Sequence, residues 1–167
     1  MKIAVVGTGY VGLVSGSCFS EFGFDVTCVD KDPLKIQKIN QGVMPIYEPG
    51  LAELVLRNVD ANRLHFSNDL GSAVAHADAV FIAVGTPTRR GDGHADLSFV
   101  FGVAEELAVH LREYTVIVTK STVPVGTGRK VADIIAKVNP TAHFDMVSNP
   151  EFLREGAAIS DFMRPDR

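Results

Sequence analysis

The chain has 167 residues, 46% of them apolar and 22% charged, the size and make-up of one ordinary globular domain with a core of its own. Its net charge is −4 and its basic residues are scattered, which argues against nucleic acid or an anionic membrane as a partner. No apolar run approaches the ~18 residues of a membrane span, and a strand begins after Lys2 with no leader before it, so the cytoplasm is the expected compartment.

Strand and helix signals alternate from the first residue on. Ile3–Val6 reads as a strand, Tyr10–Phe22 as a helix stopped by Gly23, and Val26–Val29 as a second strand. A helix follows over Pro33–Asn40, with Asp32 as N-cap, proline at the first position and Gly42 as the stop. Met44–Gly50 is a loop, Leu51–Asn58 a helix, and Leu64–Phe66 a short strand. Leu70–His76 is helical, capped by Ser67, Asn68 or Asp69. The unbroken apolar run Ala79–Val84 has the mark of a strand covered on both faces. Gly85–Asp96 is a loop, Leu97–Leu111 a helix, Val116–Thr119 a strand, Thr127–Val138 a helix and Phe144–Val147 the last strand, with a short helix over Gly156–Phe162. This order predicts an α/β fold: a doubly wound, Rossmann-like parallel sheet of six strands with helices on both faces.

The turn after the first strand carries the strongest signal. Gly7, Gly9 and Gly12 form GxGxxG between a strand and a helix. The first glycine allows the tight turn, the second lets a pyrophosphate approach the backbone, and the third lets helix and strand pack closely. The helix start then offers free N–H groups and the positive end of its dipole to the phosphates. The same glycines would also serve a plain βαβ unit by packing alone. Asp30, at the end of the second strand and 18 residues past Gly12, stands where an acid accepts hydrogen bonds from the adenosine ribose. A carboxylate there repels a 2′-phosphate and favours NAD over NADP, although Lys31 and Lys35 could soften that repulsion.

Three further polar clusters follow strands and should share the same sheet edge: Gly85-Thr86-Pro87-Thr88, Lys120–Gly126, and Ser148–Glu155. Gly85 permits close approach of a ligand and Pro87 stiffens the turn. Thr86 and Thr122 offer hydroxyls to a ribose or a water, or else cap the following helices. Glu151 and Glu155 share a face if helical; near a nicotinamide a carboxylate can hold water or act as a base, and the plain alternative is a solvated charge pair with Arg154. Cys18 and Cys28 fall inside a helix and a strand, as small buried hydrophobes do, and no His/Cys spacing suits a metal.

Taken in order, GTGYVGL, CVDKD, IYEPGL, VGTPT, RRGDGHADLS, KSTVPVGTG and SNPEFLREGAAISDF make the chain resemble, over residues 1–167, the N-terminal NAD-binding domain of the UDP-glucose/GDP-mannose dehydrogenase family. The resemblance implies a two-step, four-electron oxidation of a nucleotide sugar at C6, with UDP-glucose favoured as the partner and GDP-mannose or another nucleotide sugar as the alternative. It implies that Gly7, Gly9, Tyr10, Val11 and Gly12 bind the pyrophosphate, Asp30 and Lys35 the ribose, and that Gly85, Thr86, Pro87, Ser121 and Thr122 line the cofactor. Thr122 would position the catalytic water and Glu151 activate it, with Glu155 near the nicotinamide end. Glu151, Phe152, Leu153, Arg154 and Glu155 would meet the substrate.

The family's nucleophilic cysteine lies in a later Gly-rich Cys-Phe-Pro-Lys-Asp segment that has no match here, and the lysine and asparagine of its central helix are also missing. The chain therefore reads as one domain of a longer, homo-oligomeric enzyme, expected to bind NAD without turning over. A two-electron dehydrogenase would share the opening turn but not KSTVPVGTG followed by NPEFLREG, and a non-catalytic NAD-binding module would lack activity even at full length.

Overall fold

The computed structural model describes residues 1–165 except 90 and 92. Arg90 and Asp92 of the RRGDGHADLS loop, and Asp166 and Arg167 at the end of the family resemblance, lie outside the described residues. The elements are β1 (Lys2–Val6), α1 (Tyr10–Glu21), β2 (Asp25–Val29), α2 (Pro33–Asn40), α3 (Leu51–Asp60), β3 (Leu64–Ser67), α4 (Leu70–Val74), β4 (Ala79–Ile82), α5 (Ser98–Ala108), β5 (Thr115–Thr119), α6 (Thr127–Val138), β6 (Phe144–Ser148) and α7 (Ala158–Met163). All strands pair in parallel, in the order β3-β2-β1-β4-β5-β6. The order reverses beside β1, between the neighbours β2 and β4, and a crevice opens at that point in doubly wound sheets.

Period-two alternation along β1 divides the core. Ile3 and Val5 join α1, α3 and α7 on one face, through Leu13, Val14, Leu51, Leu54 and Ala158. Ala4 and Val6 join α4, α5 and α6 on the other, through Val74, Val103, Leu107, Val131 and Ile135. Asp32 caps α2 by accepting from the amides of Leu34 and Lys35, and Asp69 caps α4 by accepting from Ser72. No helix among the described residues is long and apolar enough to cross a membrane.

The predicted fold class holds, and the boundaries that moved are set by partners distant in sequence. β4 stops at Ile82 and not at Val84, because β1 turns away at Gly7 after the Ala83 amide has reached the Val6 carbonyl. The Val84 carbonyl is taken instead by the Ser121 hydroxyl at 2.7 Å. α5 ends at Ala108, where the Asn139 side chain donates to the carbonyls of Ala108 and Leu111. Both cysteines are buried thiols; burial, helped at Cys18 by Glu21, pushes each up to about 12. At neutral pH neither is a nucleophile.

Candidate functional site

The glycine turn is shaped by three different demands. Gly7 adopts φ +106°, a left-handed conformation, while its amide donates to the Val29 carbonyl at 2.7 Å; a side chain there would also press on the Ala83 carbonyl at 2.7 Å. A side chain at Gly12 would collide with the Gly7 carbonyl, so the closeness of α1 to β1 depends on its absence. Around Gly9 there is nothing within 4 Å of where a Cβ would stand. Gly9 is also the N-cap of α1 and supplies no capping side chain, so the first-turn amides of α1 have no side-chain partner from the cap.

From this turn a cavity of about 630 Å³ runs toward β2, lined by Gly7, Gly9, Asp30, Lys35, Val84 and Gly85 among others. A smaller one of about 250 Å³ runs the other way, past Val11, Thr86, Ser121, Thr122 and Glu151. The two share Gly9, Ala83, Val84 and Gly85, so they form one trough across the carboxyl edge of the sheet.

Asp30 anchors one end. Its Oδ2 accepts from the Thr8 amide at 2.9 Å, the Thr8 hydroxyl at 2.7 Å and the Lys35 ammonium at 2.8 Å, and among the described residues its Oδ1 accepts from the Asp32 amide alone, at 3.1 Å. Burial works to raise this carboxyl; Lys35, Thr8 and Asp32 outweigh it and hold it at about 2, so it is ionised at any physiological pH. Oδ2 is saturated, while Oδ1 retains acceptor capacity, and Asp30 lines the larger cavity. Lys31, the other cation of this corner, is drawn to Glu106 at 2.7 Å.

At the opposite end the Thr86 hydroxyl donates to the Thr122 carbonyl at 3.2 Å, which joins the loops after β4 and β5. Neither threonine caps a helix: α5 begins at Ser98, whose amide donates to Asp96, and α6 begins after Gly126. Ser121 is buried and spends its hydroxyl on the Ile82 and Val84 carbonyls, so it buttresses the trough floor. Pro87 lines the larger cavity.

The segment after β6 is not helical until Ala158, so Glu151 and Glu155 do not share a helix face. Glu151 lines the trough, and its Oε2 accepts from the Leu153 amide at 2.6 Å. Phe152, Leu153 and Arg154 line a separate cavity of about 840 Å³ with Lys120, Asp161 and Phe162. Arg154 forks onto Asp161 at 2.6 and 2.9 Å. Glu155 lines neither this cavity nor the trough.

Four participants were not singled out from the sequence: Thr8, Glu48, Lys120 and Asn149. Thr8 hides in a variable position of GxGxxG. Glu48 is an acid in a loop, a pattern that reads as solvated, yet it is 4% exposed. Lys120 is buried, donates to the Asn149 side chain at 2.8 Å and stands 5.6 Å over the Phe162 ring. Desolvation pulls Lys120 below the ordinary lysine value, and the nearby Glu151 charge opposes that.

Comparison with known proteins agrees with this geometry. The family model described as UDP-glucose/GDP-mannose dehydrogenase family, NAD binding domain, matches residues 1–167. The chain is 64% identical over 167 residues to the UDP-glucose 6-dehydrogenase of Rhizobium meliloti, covering all of this chain and 38% of that protein. It is 56% identical to the UDP-glucose 6-dehydrogenase TuaD of Bacillus subtilis, covering 99% of this chain and 36% of that one. Among solved structures, a ternary complex of GDP-mannose dehydrogenase from Pseudomonas aeruginosa superposes with a TM-score of 0.94 at 38% identity, over 99% of this chain and 39% of its own. The UDP-glucose dehydrogenase of Pyrobaculum islandicum gives 0.93 at 42% identity, with the same coverage. The chain thus spans about two fifths of the length of the relatives it matches.

Proposed function

The chain belongs to the UDP-glucose/GDP-mannose dehydrogenase family as its NAD-binding domain, and from that premise we propose that it serves a cytoplasmic, homo-oligomeric enzyme that oxidises the C6 alcohol of UDP-glucose to the carboxylate of UDP-glucuronate. Balanced, the reaction takes one alcohol, two NAD and one water to one carboxylate, two NADH and three protons. When bound, NAD would supply the hydride acceptor for each of the two oxidations. The nucleophilic cysteine of the thioester step, and the lysine and asparagine that assist it, lie outside these 167 residues, so this domain alone binds NAD without turnover.

The residues present fit the dinucleotide. The open space over Gly9 and the uncapped start of α1 suit the pyrophosphate. The unsaturated Oδ1 of Asp30 suits a ribose hydroxyl, and Lys35, held on Oδ2, fixes the carboxylate from behind. At the nicotinamide end Thr122 and Glu151 share one short stretch of the trough with Gly9 and Val11. Glu151 there is a general base for the attacking water and Thr122 orients that water. Phe152, Leu153 and Arg154 bound the adjoining cavity and would meet the sugar-phosphate part of the substrate.

The observation that carries this reading is the continuity of the trough from Asp30 past Gly9 to Glu151. The test is an assay of the full-length protein against UDP-glucose, GDP-mannose and other nucleotide sugars, following NADH. Two NADH per UDP-glucose are expected. One NADH per sugar, or no NAD binding at saturating concentration, refutes the proposal, and a preference for GDP-mannose refutes its substrate.

A further inference from the structure

Among the described residues, none of the IYEPGL loop lines the cofactor trough. Glu48, in its middle, is 4% exposed although the segment around it has no regular structure. A carboxylate leaves water only where partners replace its hydration. Here Oε2 accepts from the Tyr10 hydroxyl at 2.6 Å and the Gly156 amide at 2.8 Å, and Oε1 accepts from the Ala158 amide at 2.8 Å. Tyr10 is the first residue of α1, next to Gly9, and its hydroxyl also reaches the Arg154 carbonyl at 3.4 Å. One buried carboxylate therefore joins the glycine turn to the chain just beyond Glu151 and Arg154. Upstream, the same chain is tied through Asn149, whose amide donates to the Thr119 carbonyl and whose side chain accepts from Lys120. Between those two ties, residues 150–157 have no helix or strand to hold them.

We propose that Glu48 is a positioning residue: by accepting from the Gly156 and Ala158 amides while the Tyr10 hydroxyl holds it, it fixes the irregular 150–157 segment, and with it the Glu151 carboxylate, against the Gly9–Val11 turn. The catalytic side of this inference rests on the proposed role of Glu151, whereas the structural tie does not. Glutamine at position 48 keeps the shape but presents an NH2 where acceptors are needed, so at least one of the three donors loses its partner.

The test uses Glu48→Gln and Tyr10→Phe in the full-length protein, with two readouts. Amide hydrogen exchange at Gly156 and Ala158 is expected to be slow in the parent and at least tenfold faster in Glu48→Gln, with the amides of β1 unchanged. Turnover per NAD-binding site is expected to fall at least tenfold, while NAD affinity by calorimetry stays within about threefold. A merely structural role lowers thermal stability and the number of NAD sites but leaves turnover per site intact, and that result overturns the proposal. So does unchanged exchange at both amides. If Glu48→Gln does not fold, Tyr10→Phe, which removes one bond of the three, decides by the same two readouts at smaller size, and no change in either overturns it. If the parent turns over no nucleotide sugar, the proposed function fails by itself and the exchange rates alone judge the tie.

Discussion

Replacing Asp30 with alanine separates the ribose role from simple loss of structure. The substitution removes the acceptor of Thr8, Lys35 and Asp32 and, on the proposed pose, a charge-assisted bond to the adenosine ribose. Such a bond is worth roughly 1.5–3 kcal/mol, which at about 1.4 kcal/mol per tenfold weakens NAD about 10- to 100-fold. Affinity for NADP should move the other way relative to NAD, because the charge that repels a 2′-phosphate is gone while the Lys35 ammonium, formerly paired at 2.8 Å, is released. The ratio of the two dissociation constants, measured by calorimetry, should shift at least tenfold toward NADP. NADP binding to the variant should also fall more steeply with added salt than NAD binding does, since the new contact is an ion pair still partly open to solvent. The ratio is the decisive quantity: a collapsed β2–α2 corner weakens both cofactors alike. Equal losses for NAD and NADP, or an unchanged NAD affinity, refute the assignment of Asp30 to the ribose.

The two inner glycines should respond in opposite ways. Gly12→Ala forces a methyl into the Gly7 backbone and should destabilise the domain by about 1–3 kcal/mol, read as a lower melting temperature, whereas Gly9→Ala meets open space and should leave stability nearly unchanged while weakening NAD. Asp30 is depressed from 3.8 to about 2 in the fold, so the stability it adds is complete above the unfolded value and is lost as pH falls from about 4 toward 2. Discounted for partial exposure this is about 1 kcal/mol, and it should vanish from the acid-unfolding curve of Asp30→Ala. Cys18 and Cys28 should resist thiol reagents at pH 8 until the domain unfolds, as peptide mapping of labelled protein would show. On the proposed function, Glu151→Gln in the full-length protein should slow thioester hydrolysis more than the first hydride transfer; equal losses in single-turnover rates contradict the proposed water activation.

Most of the fold could be read from local signals because those signals agree with one another. Pro33 after Asp32 fixes the start of α2 by backbone geometry and capping alone, and α2 runs over the expected residues. Gly7, Gly9 and Gly12 could be picked out by their spacing between a strand and a helix, although only Gly12 answers a steric demand inside the turn itself; Gly7 is confined by the Ala83 carbonyl at the end of β4, and Gly9 faces open space. What stayed hidden was decided by distant partners. The end of α5 depends on Asn139 and the end of β4 on the bend at Gly7, and neither is encoded nearby. α7 begins at Ala158 and not at Gly156, because Gly156 is turned to φ +85° and its amide is held by Glu48, 108 residues away. The division of neighbouring residues between two cavities, Glu151 to the trough and Phe152 to Arg154 outside it, follows from an irregular backbone that carries no periodic pattern.

That division also bears on how chemistry and recognition are separated. In the irregular segment after Asn149, Glu151 lines the cofactor trough while its neighbours Pro150 and Phe152 line the adjoining cavity, so a single residue step moves from one space to the other. A regular helix over 150–156 would instead have put Glu151 and Glu155 on one face and drawn both toward the same space. The irregular form commits only Glu151 of this segment to the trough and leaves Phe152–Arg154 for the adjoining cavity, at the cost of a backbone held by scattered contacts and not by a regular ladder. Its upstream end is secured by Lys120 and Asn149 and its downstream end by Glu48, two buried charged groups placed in loops where exposed ones would be the norm. Burying those charges is accounted for if the position of this short segment, more than the stability of the sheet, is what the two loops must fix.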